Sequence, residues 1–274
     1  MDYNSLKINN KHAEKILTDL FAINGKITSL PGDVDFNFRI KIQNHEGYIL
    51  KISRPNVEES YLSYQQELLQ HIESNNPDII APKVINNKKG QATSEIRDAF
   101  GNKRKVRLLT WISGRLWSTV NPQLDSLRFS LGEQCGLLTK TLQTFEHQQA
   151  FNNFEWDIAQ SLWTKKELHL FTSEEKEIIS DFQNQFEAVQ HSFNRLRKSI
   201  VHHDVNDYNI VVSETLVNPT VKALFDYGDA MHTQIINDLA IACTYAIMNH
   251  NDPLDASLPI VKGYHSTFEL HEEE

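Results

Sequence analysis

Two short stretches of this chain hold residue types at spacings that chemistry requires. The first is His202-His203-Asp204-Val205-Asn206-Asp207-Tyr208-Asn209, and the second is Phe225-Asp226-Tyr227-Gly228-Asp229. An acid that could act as a base is followed five positions later by an amide. Seventeen positions after the amide comes a second acid beside a Tyr-Gly pair. Phosphoryl transfer from a nucleotide needs such a set. One carboxylate accepts the proton of the attacking hydroxyl, and an amide and another carboxylate hold Mg²⁺, which neutralises charge on the transferring phosphate. The order H-x-D-x-x-x-x-N followed by D-[FY]-G makes the signal specific, because either half alone is common. Turn and capping chemistry is the plain alternative for a single Asp or Asn. It is a poor account of all three at this spacing around an apolar strand.

The elements that must position these residues can be read from periodicity. Residues 10–23 place Ala13, Ile16, Leu17, Leu20 and Phe21 at helical spacing. Strands are predicted over 27–30, 36–42 and 48–52, with turns at Pro31-Gly32-Asp33 and at 44–47. A helix over 57–73 follows, then a strand at 83–85, and a hairpin ending in the apolar strand 106–112. After Ser113-Gly114 the chain reads as mainly helical, with helices over 127–144, from Ser173 (as cap) to about 196, and over 239–248. Ser266 through Glu274 reads as a helix start, with the run Glu272-Glu273-Glu274 as a solvated first turn. The pattern is α+β, with a sheet-rich part over 1–112, a helical part over 113–274, and a ligand expected between them.

Bulk properties narrow the function. With 274 residues the chain can form one large domain or two lobes with real cores. A net charge of −9 disfavours a nucleic-acid binder; it suits a cationic substrate, though acidity also serves solubility. Cys135 and Cys243 lack metal-ligand spacing and read as buried free thiols in a reducing compartment. There is no apolar signal stretch at the N-terminus and no run long enough to span a bilayer, so the expectation is a cytoplasmic protein without membrane partners.

The paired motifs resemble those of the aminoglycoside phosphotransferase and choline kinase superfamily. Within it, residues 201–210 are similar to the hydroxylysine kinase branch. Support comes from Val106-Arg107-Leu108-Leu109-Thr110-Trp111-Ile112-Ser113-Gly114, Phe154-Glu155-Trp156-Asp157 and Asn237-Asp238-Leu239-Ala240-Ile241-Ala242. The likeness covers about residues 30–264. It implies a bilobal protein-kinase-like fold, with a nucleotide-binding lobe over 1–112 and a catalytic and substrate lobe over 113–274. It implies ATP or GTP as donor, Mg²⁺, and a small amine-bearing alcohol as acceptor, with 5-hydroxylysine first. Aminoglycoside, choline, ethanolamine and homoserine are alternatives, and the branch also occurs fused to aminotransferases. It makes Asp204 the base, His202 its buttress, and Asn209 and Asp226 the metal ligands. Leu109 and Trp111, with Thr110 between them, become the hinge that reads the base.

Three positions keep two readings each. Lys51 sits in an apolar strand, where an ammonium is costly without a partner; it either meets nucleotide phosphates or lies on a solvent face. Asp229 either holds a substrate ammonium or caps the next turn. Trp156-Asp157 is either a marker of the branch or simple packing. The resemblance is imperfect in two places. The G-x-G-x-x-G loop is reduced to Gly32, with Asn37 as a further candidate phosphate contact. The helix acid that normally pairs with the lysine falls at Gln65, while Glu67 projects about 200° away around the helix. The family usually continues with helices beyond Glu274, so a truncated chain is one expectation, and a silent domain that binds nucleotide or a partner chain is the alternative to an enzyme.

Overall fold

Helix α1 (Asn10–Phe21) starts where Asn9 accepts the His12 N–H, and its buried stripe Ala13, Leu17 and Phe21 repeats one turn apart. The computed structural model describes residues 8–32, 35–248 and 250–274. Two compact units divide the chain, Met1–Gly114 and Arg115–Glu274.

The first unit is built on an antiparallel sheet. Its strands are β1 (Lys26–Leu30), β2 (Phe36–Ile42), β3 (His45–Ile52), β4 (Val84–Ile85), β5 (Ser94–Arg97) and β6 (Lys103–Thr110). The order is β1-β2-β3-β6-β4, with β5 also on β6. Helix α2 (Glu59–Asn75) is inserted after β3. Alternation along each strand separates two faces. Phe38, Ile40, Leu50, Ile52, Val106 and Leu108 form a core with the stripe of α1. The register pairs Asn37 with Lys51 and Lys51 with Arg107, so these three lie in one cross-strand line on the opposite face.

The β5–β6 turn is fixed by charge. Asp98 accepts the backbone N–H groups of Phe100 and Asn102 and pairs with the buried Arg104 guanidinium at 2.8 Å. Burial alone would raise the Asp98 pKa. The bonds from Arg104, Asn102 and the two N–H groups outweigh it and bring the value down to about 2.

The second unit holds β7 (Arg115–Leu116), α3 (Asp125–Leu142), 3-10 turns over Ile158–Leu170, and α4 (Ser173–Phe193). It continues through β8 (Lys198–Val201), β9 (Ile210–Val212), β10 (Val221–Leu224) and β11 (Met231–Gln234) to α5 (Ile236–Ala246) and α6 (Pro253–Thr267). The strands make two small sheets, β10-β9-β7 and β11-β8. Helices α3 and α6 touch backbone to backbone. A Cβ at Gly132 or Gly136 would strike the carbonyls of Ile260 and Tyr264, and one at Gly263 would strike that of Phe129. Only glycine permits this approach, and Tyr264 Oη seals it with a 3.0 Å bond to Thr139.

Two expectations are corrected. Thr172, not Ser173, caps α4, in a reciprocal capping box with Glu175. Ser266 does not start a helix: it lies in the last turn of α6, where its hydroxyl donates to the Gly263 carbonyl. Residues 268–274 are non-helical, and Glu274 forms a bidentate pair with Arg197 at 2.6 and 2.9 Å. Cys135 is buried and Cys243 half-buried, both as free thiols. No helix among the described residues is long and apolar enough to cross a membrane.

Candidate active site

In the second unit the loop between β8 and β9 carries the first motif, and it is held from three sides. Asp238, in the first turn of α5, is almost fully buried. Its two carboxylate oxygens accept the backbone N–H groups of His202 (2.8 Å) and His203 (2.7 Å). The Asp204 N–H donates to His202 Nδ1 at 3.2 Å, so the ring proton sits on Nε2, which donates to the Phe225 carbonyl at 3.0 Å. The fully buried His202 ring thereby ties the Asp204 backbone to the residue before Asp226. It packs against Tyr227 at 4.5 Å.

The Asp204 carboxylate is oriented by two amides. Asn206 Nδ2 donates to Oδ1 and Asn209 Nδ2 to Oδ2, each at 2.7 Å. Asn209 Nδ2 also bonds the Asp204 carbonyl at 2.9 Å, which leaves Oδ1 of Asn209 as its remaining acceptor. The Phe225 N–H reaches back to the Asn209 carbonyl at 3.1 Å, so β9 and the second motif are laced together. Asp226 takes a left-handed conformation, φ 65°, and its side chain is exposed.

The acids affect one another. Burial raises the Asp204 pKa, and Asp226 adds to this, against the bonds from Asn206 and Asn209 and the nearby His202. Burial likewise raises Asp229, with Asp204 and Asp226 both adding to the effect. Three carboxylates close enough to repel favour a cation among them. Among the described residues no three His, Cys, Asp or Glu side chains close on a metal position. Asn209 Oδ1 and the Asp226 carboxylate are oxygen donors of the hard type that Mg²⁺ takes. Asp229 ends a turn over Tyr227–Asp229.

Trp156-Asp157 splits into two environments. Asp157 is buried and accepts from Thr233 Oγ1 at 3.0 Å and from the Ala159 N–H at 3.1 Å, which is packing chemistry. The Trp156 indole is exposed, and its carbonyl bonds His203 Nε2 at 3.2 Å.

In the first unit Lys51 lies between Asn37 and Arg107 on the sheet. Asn37 Nδ2 bonds the Pro31 carbonyl at 3.4 Å and presses on Gly32, where a Cβ would collide with it. The inward position on α2 is Gln65, and Glu67 is exposed. Gln65 Oε1 accepts from Arg107 Nη1 at 2.6 Å, and Arg107 Nη2 lies 3.5 Å from Asp35. Leu109 pairs with Ile49 and Val84 within the sheet. The Trp111 N–H donates to the Gly47 carbonyl at 3.0 Å and the Thr110 N–H to that of Lys83 at 2.9 Å, so both donors are engaged within the protein.

Sequence reasoning passed over Asp238 and Arg107 as site residues. Arg107 had a signal: like Lys51, it is a cation inside an apolar strand. Asp238 stood inside a quoted segment, but nothing in its spacing announces the two N–H groups it holds.

The model of the phosphotransferase enzyme family matches residues 26–270. Hydroxylysine kinase of Xenopus laevis is 28% identical, over 100% of this chain and 79% of its own. Among solved structures, a microcompartment-associated aminopropanol kinase superposes with a TM-score of 0.75 at 17% identity, over 97% of this chain and 83% of that one. An amicoumacin kinase in complex with AMP-PNP and Ca²⁺ superposes at 0.73 and 17%, over 99% and 82%. These structures show that the fold is kinase-like.

Proposed function

Because the chain belongs to the phosphotransferase enzyme family and is a small-molecule kinase, we propose that it moves the γ-phosphoryl group of ATP or GTP onto a hydroxyl of an amine-bearing metabolite, with 5-hydroxylysine as the favoured acceptor. The observation that carries this reading is the Asp204 carboxylate, oriented by two amides and raised in pKa by burial and by Asp226. A carboxylate fixed in this way is suited to accept the proton of an attacking hydroxyl. Likeness to a hydroxylysine kinase along the whole chain supports the acceptor.

In this reading His202 fixes Asp204 and the start of the second motif. Asn209 and Asp226 would hold Mg²⁺, which when bound supplies neutralising charge at the phosphates. Lys51 meets the nucleotide phosphates, with Arg107 beside it as a second cation anchored by Gln65. Gly32 and Asn37 shape the turn that covers the phosphates. The segment containing Leu109 and Trp111 lines the base. Asp229 receives the substrate ammonium.

The test is phosphate transfer to 5-hydroxylysine with Mg²⁺, run in parallel with ATP and GTP. Product is expected with the native chain, and Asp204→Asn should lower turnover by about 10²- to 10⁴-fold while nucleotide still binds. Equal turnover by the variant removes Asp204 as base. Product from another amino alcohol but none from 5-hydroxylysine removes the favoured acceptor.

A further inference from the structure

His203 stands beside the base and has no part in the scheme above. Its backbone lies in the left-handed region, φ 66°, which strains any residue with a Cβ and which glycine adopts freely. The loop imposes this conformation, because Asp238 Oδ1 takes the His203 N–H at 2.7 Å. The backbone therefore gains nothing from an imidazole, and the reason for one lies in the side chain.

That side chain is 5% exposed. Nε2 lies 3.2 Å from the Trp156 carbonyl, which can only accept, so Nε2 carries a proton, and in the singly protonated tautomer the lone pair falls on Nδ1. Nδ1 then presents a bare lone pair. It is buried, and it has no hydrogen-bond partner among the described residues. Phe154 stands edge-on to the ring at 6.1 Å. A buried acceptor without a donor is unfavourable, and native proteins rarely leave one. The surroundings indicate which donor is missing. Asp229 is close enough to interact with His203 electrostatically, and Asp204 and Asp226 act on the same Asp229. A donor at home among these carboxylates is a cation that carries N–H groups.

We propose that His203 belongs to the acceptor subsite. Its Nδ1 accepts an N–H from a primary ammonium group of the substrate, and Asp229 supplies the opposing charge. The site thereby selects a primary ammonium over a quaternary one, which has positive charge but no N–H to give. This deepens the proposed function and rests on its amine-bearing acceptor.

The experiment compares 5-hydroxylysine with its Nα- and Nε-trimethylated forms on the native chain, His203→Gly and His203→Asn. The native enzyme is expected to disfavour one trimethylated form in KM by about tenfold to a hundredfold, the range of a hydrogen bond to a charged group. His203→Gly should keep or raise the Tm and bring that ratio close to one, with the KM for nucleotide unchanged. His203→Asn tolerates the same backbone and offers a carbonyl acceptor, so it should fall between them; it gives the same readout should the glycine variant not fold. A merely structural histidine would raise KM for all three compounds alike and lower the Tm, and that result overturns the proposal. So does a native enzyme that treats the three alike. If the native chain phosphorylates none of them, 5-hydroxylysine is removed as the acceptor, and calorimetric binding of the same compounds decides His203. A native preference lost in the variants sustains it, and equal or absent binding overturns it.

Discussion

At the scale of single residues, hydrogen bonds orient the Asp204 carboxylate and the Asn209 amide within the candidate site. Asn209 spends its Nδ2 on Asp204 and keeps Oδ1. Asp226→Ala removes the other proposed metal oxygen, so Mg²⁺-dependent nucleotide affinity measured by calorimetry should be lost; the same affinity with and without the side chain would exclude Asp226 as a ligand. Asp238 touches no reacting group in the proposed scheme but fixes two successive N–H groups of the loop. Asp238→Asn replaces one acceptor oxygen with a donor facing an N–H, at a cost of about 2–3 kcal/mol. The expected result is a lower Tm and a lower kcat, with nucleotide KM little changed. Asp204, Asn209 and Asp226 were legible because their spacing is local and repeats a known order. The clamp by Asp238 and the left-handed backbone of His203 were not, since a tertiary hydrogen bond and a dihedral angle leave no periodic trace in sequence.

At the scale of elements, legibility followed how far each element obeys its own pattern. β2 alternates cleanly and occupies the expected residues 36–42. α6 was missed although Asp252-Pro253 and Asp255 form a helix start, because Pro259 and Gly263 interrupt its run, and the close approach of Gly263 to the Phe129 carbonyl of α3 is a tertiary contact. On α2, Gln65 in the inward position was expected, but its bond to Arg107 was not. The β5–β6 turn makes a pH prediction. The Asp98 pKa is about 2 in the fold and about 4 in an unfolded chain, so its folded value is depressed. Its contribution is therefore complete above about pH 4 and disappears as pH falls through 2. Urea unfolding of Asp98→Asn against the native chain should show a constant stability deficit from neutral pH to about 4, narrowing below that. A deficit that does not change down to pH 2 would show that the charge of Asp98 plays no part.

At the scale of the whole molecule, the acidic balance of −9 accompanies a site whose own carboxylates repel. The folded state disfavours the charges of Asp204 and Asp229, so neutral residues there would relieve the fold while ending or weakening the chemistry. The helix crossing of α3 and α6 makes the opposite demand. Gly136→Val drives branched carbons against Tyr264 and Thr267, and a loss of about 3 kcal/mol or more is expected in thermal unfolding; a native Tm would mean that the helices part without cost. The two demands would separate in a library of all single substitutions sorted once for folded abundance and once for growth on the product. Asp204 and Asp229 would look dispensable in the first sort and indispensable in the second, while Gly132, Gly136 and Gly263 would be indispensable in both. A descendant of this chain that abandoned its reaction would be free to lose the acids, and its ancestry would remain written in three glycines.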